Sequence, residues 1–296
     1  IHKALGLMNS DFKDLTPPEI LNADLVLVDE DSMLDMMLAW YLFRALPLGC
    51  RLILTGDADQ LPSVRPSAVL SELLASGMVP QVRLDKVFRQ NEGSRIAENA
   101  KAIRHGQTVL DYGSDFQFWS SPDIQQSADC LEQLYIQEVQ QYGIDNVVLL
   151  TPFRKKTATG VQALNQRLQA RLNPPGPEKP EWTLGKRTFR LGDKAMQIRN
   201  RDEASNGDIG YIRKILREDD SWMVEVDFGD GRTVCYCDAD SMNQLDLAYA
   251  QTIHKSQGSE YASVLISIQQ AHGWVPTPTL IYTAITRAKR RAIIVG

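Results

Sequence analysis

Asp24-Leu25-Val26-Leu27-Val28-Asp29-Glu30 is an apolar run that ends in two carboxylates. A run this short, rich in Val and Leu, reads as a buried strand of a parallel sheet. Arg51-Leu52-Ile53-Leu54-Thr55 repeats the pattern and ends at Gly56-Asp57. Between the two, Ser32–Leu46 carries apolar residues at helical spacing. Strands alternating with helices imply a parallel sheet with both faces covered. In such sheets ligands bind beyond the carboxyl ends of the strands. Asp29-Glu30 and the loop after Gly56 are therefore the first places to look for chemistry.

The same alternation continues. A helix is expected over Ala68–Ser76 and a strand near Val82–Leu84. After Arg89 the spacing predicts a helix over Arg95–Arg104, stopped at Gly106. A strand at Phe116–Trp119, a long amphipathic helix over Ile124–Tyr142, a buried strand at Val147–Thr151 and a helix over Thr157–Leu172 follow. Pro174–Pro180 holds four prolines and reads as a linker or rigid loop. Residues 191–240 change character. Short runs rich in Val, Ile, Tyr and Trp alternate with turn signals at Asn206-Gly207, Asp219-Asp220 and Gly229-Asp230-Gly231. That is an antiparallel pattern, expected to form a small β-barrel. Strands near Val264–Ile268 and Ala292–Val295 then resume the α/β pattern. The expected architecture is α/β with two parallel-sheet domains, 1–88 and 89–190 with 241–296, the barrel 191–240 being inserted in the second.

Composition bounds the function. With 43% hydrophobic and 23% charged residues over 296 positions, the chain fits a globular protein. It has no apolar run long enough to span a membrane and no signal peptide, so a cytoplasmic location is expected. Four cysteines in a chain this long do not make a disulfide framework. Cys235 and Cys237 alternate on an expected strand and point to one face, but a C-x-C without further ligands is a weak zinc signal. A net charge of −5 argues against a whole-surface nucleic-acid binder. A local groove is still open to it through the basic clusters at Arg154-Lys155-Lys156, Lys186-Arg187, Arg199 with Arg201, and Arg287 to Arg291. Any one of these, taken alone, reads as solvated surface charge.

Several segments carry residue types suited to nucleotide and phosphate chemistry. Asp29-Glu30 at a strand end can hold magnesium and polarise an attacking water. In Leu54-Thr55-Gly56-Asp57-Ala58-Asp59-Gln60-Leu61-Pro62, Gln60 offers a donor and an acceptor at once, as needed to bond a phosphate and a water. Arg89, in Leu84-Asp85-Lys86-Val87-Phe88-Arg89-Gln90, and Arg287, in Tyr282-Thr283-Ala284-Ile285-Thr286-Arg287-Ala288-Lys289-Arg290, can each bond phosphate oxygens with two donors. Either arginine alone also reads as a surface ion-pair residue. Gln251-Thr252-Ile253-His254-Lys255-Ser256-Gln257-Gly258-Ser259-Glu260-Tyr261 offers hydroxyls, an imidazole and exposed amides for a phosphate backbone. His254 taken alone is by default a structural histidine. In Thr151-Pro152-Phe153-Arg154, Phe153 either stacks on a base or sits in the core.

In this order the segments resemble the later motifs of superfamily-1 helicases, and most closely those of the RecD-like helicases, the exodeoxyribonuclease V α-subunit family. The resemblance covers nearly the whole chain, including Asn-Gly-Asp-Ile-Gly (206–210) of the insert. It implies two RecA-like motor domains, the first truncated at its N-terminus, and an insert similar to Src-homology-3 barrels. ATP and magnesium are the implied cofactors: Asp29 for the metal, Glu30 for activating water, Gln60 for sensing the γ-phosphate. Arg89 and Arg287 are the implied nucleotide arginines, and Gly258 and Glu260 the implied nucleotide neighbours, Glu260 near the ribose. Single-stranded DNA is the implied partner, RNA not being separated from it by such contacts. Its implied contacts are His2, Arg65, Thr151, Pro152, Phe153, Arg154, Asn165, Thr252, His254, Lys255, Ser256 and Gln257. Other exonuclease or recombination subunits are further implied partners.

The chain departs from the family in three ways. Ile1-His2-Lys3-Ala4-Leu5-Gly6 resembles the tail of an early motif, and no G-x-x-x-x-G-K-[ST] phosphate loop is present in the 296 residues. Asp31 stands where the family usually has Ala, and Arg65-Pro66-Ser67 where it has Gly-Pro-Gly. The expected function is an ATP-dependent DNA helicase moving 5′ to 3′ in recombination or repair, this chain alone not hydrolysing ATP. The alternatives are a nucleic-acid-binding module without turnover and the helicase domain of a conjugative relaxase.

Overall fold

The structure, a computed structural model, describes residues 1–7, 17–63, 68–84, 93–155, 157–218, 221–269, 273 and 275–296. Arg65, Arg89 and the turn Asp219-Asp220 lie outside the described residues. The chain divides into two units, Ile1–Phe88 with Pro278–Thr283, and Arg89–Thr277 with Ala284–Gly296.

The first unit is built on β1 (Leu25–Val28) and β2 (Arg51–Leu54), which pair in parallel with Val28 level with Leu54. They are joined through a 3-10 turn at Asp31–Met33 and helix α1 (Met36–Ala45). Asp35 starts α1 by accepting a hydrogen bond from the Leu38 amide at 2.8 Å, which satisfies one of the free donors of the first turn. Leu34, Leu38, Tyr41 and Leu42 form the core of this unit with Val28 and Val69 of helix α2 (Val69–Ser76), and Val26, Leu52 and Leu54 pack against it. The sheet was expected to be covered on both faces; among the described residues one face is packed. Leu25, Leu27, Arg51 and Ile53 share the other face and are exposed, because the side chains of a strand alternate. The strand expected near Val82–Leu84 is absent: 81–84 is irregular and exposed. An apolar-alternating run becomes a strand only where a neighbouring strand takes its backbone bonds, and no described strand pairs with it.

The second unit centres on a five-stranded, wholly parallel sheet. Its strands are β3 (Phe116–Trp119), β4 (Val147–Thr151), β12 (Ala250–Thr252), β13 (Tyr261–Ser267) and β14 (Ala288–Val295), in the order β12-β4-β13-β14-β3. Helices α3 (Arg95–Arg104), α4 (Ile124–Tyr142) and α5 (Val161–Leu172) accompany it. Ser94 caps α3, and the Asp123 carboxylate takes the amides of Gln125 and Gln126 at the start of α4. Helix α7 (Pro278–Ile285) contributes Ala284 and Ile285 to this unit.

Within the same unit, β7 (Lys194–Gln197), β8 (Ile209–Glu218), β9 (Ser221–Asp227), β10 (Thr233–Tyr236) and β11 (Leu245–Leu247) make a five-stranded antiparallel sheet, ordered β10-β9-β8-β7-β11. Helix α6 (Ala239–Met242) lies between the last two. The segment therefore outruns 191–240. Leu245–Leu247 closes it on one side, and a hairpin of β5 (Glu181–Leu184) and β6 (Arg187–Arg190) precedes it. Gly210 has to be glycine: a Cβ there would run into the carbonyl of Asp227 on the neighbouring strand. One core runs from Leu131 and Tyr135 of α4 through Leu149 and Leu164 to Phe189, Ile212 and Val226, so the insert shares its interior with the parallel sheet. Among the described residues no helix is long and apolar enough to cross a membrane.

Candidate functional site

In the first unit the chemistry sits where β1 and β2 end side by side. Because Val28 is level with Leu54, Asp29 falls beside Thr55. The Thr55 hydroxyl donates to Asp29 Oδ1 at 2.5 Å, and the Glu30 amide donates to the same oxygen at 3.0 Å. Both bonds stabilise the carboxylate, the hydroxyl more than the amide, and hold Asp29 below the ordinary range. Asp29 is exposed and Glu30 half-buried. Glu30 lies in the left-handed region at φ 55°, ψ 42°, which is uncommon for a residue with a Cβ. Asp31 is buried, and among the described residues neither carboxylate oxygen has a hydrogen-bond partner. Burial without a partner pushes its pKa up to about 6. Gly56 follows closely: a Cβ there would lie 2.9 Å from Leu70 Cδ2 and 3.0 Å from the Ser32 amide nitrogen.

Gln60 is buried in the turn after β2. Its Nε2 donates to Asp57 Oδ2 at 3.3 Å, and the Tyr282 hydroxyl donates to the same oxygen at 2.8 Å. The Leu61 amide donates to Thr283 Oγ1 at 2.8 Å. Thr55, Asp57, Tyr282 and Thr283 were not singled out from the sequence as site residues. Thr55 was legible, since parallel register alone sets the residue after Leu54 beside the residue after Val28. Gly6 and His2 lie in a short turn, where the Leu7 amide bonds the His2 carbonyl at 2.8 Å.

In the second unit, the strand end Thr151-Pro152-Phe153-Arg154 and the 3-10 turn Ile253–Ser256 follow the paired strands β4 and β12, where Thr151 is level with Thr252. Thr151 is fully buried, Pro152 and Phe153 are half-buried, and Arg154 is exposed. Arg154 Nη2 pairs with Asp246 Oδ2 of β11 at 2.9 Å. The Val161 and Gln162 amides at the start of α5 already bond the Phe153 and Arg154 carbonyls. Thr252 Oγ1 caps the 3-10 turn by accepting from the Lys255 amide, and the Ser256 hydroxyl, buried, donates to the Ile253 carbonyl at 2.8 Å. His254 and Lys255 are half-buried, and burial lowers the pKa of both; nearby Arg154 lowers Lys255 further. Lys255 Nζ donates to Asn206 Oδ1 of the insert.

Asn165 is buried and fully engaged. Its amide donates to the Leu247 and Ala250 carbonyls, both at 3.0 Å, and accepts from the Ala250 amide at 2.7 Å. It ties α5 to the entry of β12. Gly258 is exposed with a positive φ of 76°. Glu260 pairs with Lys289 at 2.7 Å. Arg287 is 1% exposed, with Nη1 3.4 Å from the Ser259 carbonyl. Among the described residues no group of three or more His, Cys, Asp or Glu is placed to hold a metal ion; Cys235 and Cys237 are free and exposed.

Residues 164–228 match the family described as the SH3 domain of ATP-dependent RecD-like DNA helicases, 1–117 an AAA domain, and 247–295 the UvrD-like helicase C-terminal domain. The chain is similar to the ATP-dependent RecD2 DNA helicase of Deinococcus radiodurans, at 33% identity over 100% of this chain and 39% of that protein. It is also similar to the RecBCD enzyme subunit RecD of Mycobacterium tuberculosis, at 30% identity over 92% of this chain and 49% of that protein. The chain thus spans less than half the length of these curated relatives. Among solved structures it shares the fold of a Pif1 helicase from Bacteroides in complex with ADP-AlF3 and ssDNA, with a TM-score of 0.57 and 20% identity over 99% of this chain and 77% of that one. With its motifs set on an α/β fold that carries an SH3-like antiparallel insert, the chain belongs to the RecD-like family of superfamily-1 helicases.

Proposed function

We propose that this chain is part of an ATP-driven motor that moves 5′ to 3′ on single-stranded DNA, in recombination or repair. Its two units correspond to two RecA-like motor domains. The observation that carries the reading is the placing of an acid pair and a buried glutamine at the adjacent carboxyl ends of two parallel strands. Glu30 orients and deprotonates the attacking water, and Gln60 bonds the γ-phosphate. Arg287 meets the developing charge, and Arg89 supplies a further guanidinium to the nucleotide. Asp29 fits a hydrated magnesium ion. It is exposed and held ionised, and its Oδ1 is taken by two donors while Oδ2 accepts no hydrogen bond from a described residue. When bound, magnesium neutralises phosphate charge. Gly258 and Glu260 lie toward the nucleotide.

Single-stranded DNA is held by the second unit along Pro152, Phe153, Arg154, His254, Lys255 and Gln257. Thr151, Asn165, Thr252 and Ser256 shape that surface, their polar atoms being engaged in the fold. His2 and Arg65 are further proposed contacts for the strand. A relative that is a RecBCD subunit supports association with other recombination subunits.

The test is DNA-stimulated ATP hydrolysis by the full-length gene product and its loss in Glu30→Gln. Unchanged turnover in that variant would sink the reading. One observation favours a narrower role for residues 1–296 alone. They contain no G-x-x-x-x-G-K-[ST] sequence, so they lack the lysine and amide nest that neutralise the β- and γ-phosphates. They are expected to bind DNA without turning over ATP, and robust hydrolysis by this chain alone rejects that.

A further inference from the structure

Thr55 does more than end a strand. It makes three bonds across the end of β1: its amide donates to the Val28 carbonyl at 2.8 Å, its hydroxyl to Asp29 Oδ1 at 2.5 Å, and its carbonyl accepts from the Asp31 amide at 2.9 Å. These bonds flank Glu30 on both sides. Glu30 is one of two non-glycine residues with positive φ among the described residues, the other being Asp230 in a surface turn. A left-handed residue with a Cβ persists only where its surroundings over-determine it. Here the Asp31 amide bond fixes the chain after Glu30. The Asp29 carboxylate, oriented by the Thr55 hydroxyl, accepts the Glu30 amide itself.

We propose that Thr55 is a positioning residue for the acid pair, its hydroxyl orienting Asp29 so that one carboxylate oxygen locks Glu30 and the other faces outward. The proposal rests on the nucleotide reading of Asp29 and Glu30 for its functional consequence, but not for its geometry. The same residue begins the loop that carries Gln60. A change at that loop therefore reaches the acid pair through one residue. Hydroxyl and carboxylate make a charge-assisted bond, stronger than a neutral one. An isosteric β-branched residue without the hydroxyl keeps both backbone bonds and loses only this contact.

The experiment compares Thr55→Val and Thr55→Ser in residues 1–296 by amide hydrogen exchange resolved by NMR. In Thr55→Val the Glu30 amide exchanges about fivefold to tenfold faster, as expected for loss of one such bond. The Asp31 amide, bonded to the residue-55 carbonyl, keeps its rate. Thr55→Ser leaves both amides as in the wild type. In the full-length gene product, Thr55→Val raises the magnesium concentration for half-maximal ATP turnover, and Thr55→Ser does not. The proposal is overturned by an unchanged Glu30 amide in Thr55→Val, by equal acceleration of Asp31, or by Thr55→Ser behaving as Thr55→Val. An unchanged magnesium requirement in an active enzyme overturns it as well. A wild-type protein that hydrolyses no ATP rejects the nucleotide reading instead, and the exchange rates still decide whether Thr55 holds the pair.

Discussion

The Tyr282 hydroxyl donates a hydrogen bond to Asp57 Oδ2 at 2.8 Å, and Gln60 Nε2 donates to the same oxygen at 3.3 Å. Asp57 Oδ1 accepts from the Asp59 amide at 3.0 Å. One carboxylate therefore organises the turn that carries Gln60, and a residue more than two hundred positions later in the chain steadies that carboxylate.

Tyr282→Phe removes the hydroxyl and little volume. Hydrogen bonds to a charged group contribute about 1.5–3 kcal/mol, and less when half-exposed. The variant is expected to melt a few degrees lower. In the full-length protein its turnover should fall by about tenfold, while ATP affinity changes by less than about threefold, if Gln60 acts on the transition state as proposed. Steady-state kinetics beside a melting curve checks this. A loss confined to affinity would count against a role in orienting Gln60.

Asp31 makes a pH prediction. Its carboxyl is buried with no hydrogen-bond partner among the described residues, and its pKa is raised from 3.8 to about 6. The folded state therefore holds this proton more tightly than the unfolded chain. The stability so gained is complete below about pH 4 and is lost as pH rises through about 6. Above that, the fold carries an uncompensated buried charge. Asp31→Ala should melt higher than the wild type at pH 8 in metal-free buffer, by about 1–3 kcal/mol. The gap should narrow as pH falls below 6. A constant gap, or a less stable variant at pH 8, rejects the assignment.

Much of this fold was legible because buried parallel strands and capped helices write their own pattern. Phe116–Trp119, Ile124–Tyr142 and Val147–Thr151 are bounded in the structure as their apolar spacing and end signals indicate. The misses share one cause, strand pairing that composition alone does not show. Val82–Leu84 has strand composition but no described neighbour, whereas Leu245–Leu247 and Glu181–Leu184 are strands only because β7 and β6 lie beside them. The acid pair and Gln60 were legible as residue types at strand ends. Their supporting groups were less so. Asp57 looks like any loop acid until Tyr282 is folded onto it. Asn165 reads as a polar contact until its amide is seen bonding the backbone at Leu247 and Ala250.

Lys255 should govern the salt and pH dependence of DNA binding. Its ammonium is half-buried, bonded to Asn206 and close to Arg154, and its pKa is lowered, first by burial and then by that arginine. Its charge is therefore lost earlier than an ordinary lysine's as pH rises. Fluorescence anisotropy with a labelled single-stranded oligonucleotide should show binding weakening toward alkaline pH. Lys255→Arg should flatten that profile. Lys255→Ala should reduce the slope of log affinity against log salt by about 0.7, the value for one released counterion on a single strand. An unchanged slope removes Lys255 from the phosphate contacts.

Arg287 has two readings, and its burial sharpens the choice between them. It is 1% exposed, and its guanidinium lies 3.4 Å from both the Ser259 carbonyl and the Thr286 hydroxyl. Its own carbonyl accepts the Tyr261 amide at 2.9 Å. Removing a buried side chain of this size leaves a cavity, so Arg287→Ala should melt lower whatever its catalytic role. Arg287→Lys separates the readings, because it keeps the charge and most of the stem but not the paired donors of the guanidinium. If Arg287 stabilises charge in the transition state, the lysine variant of the full-length protein folds and binds both ATP and DNA. Its turnover nevertheless falls steeply, toward the 10³–10⁵-fold or so lost when other arginine fingers are removed. Near wild-type hydrolysis in Arg287→Lys rejects the finger. A fall in melting temperature that accounts for the whole loss assigns Arg287 to the fold instead.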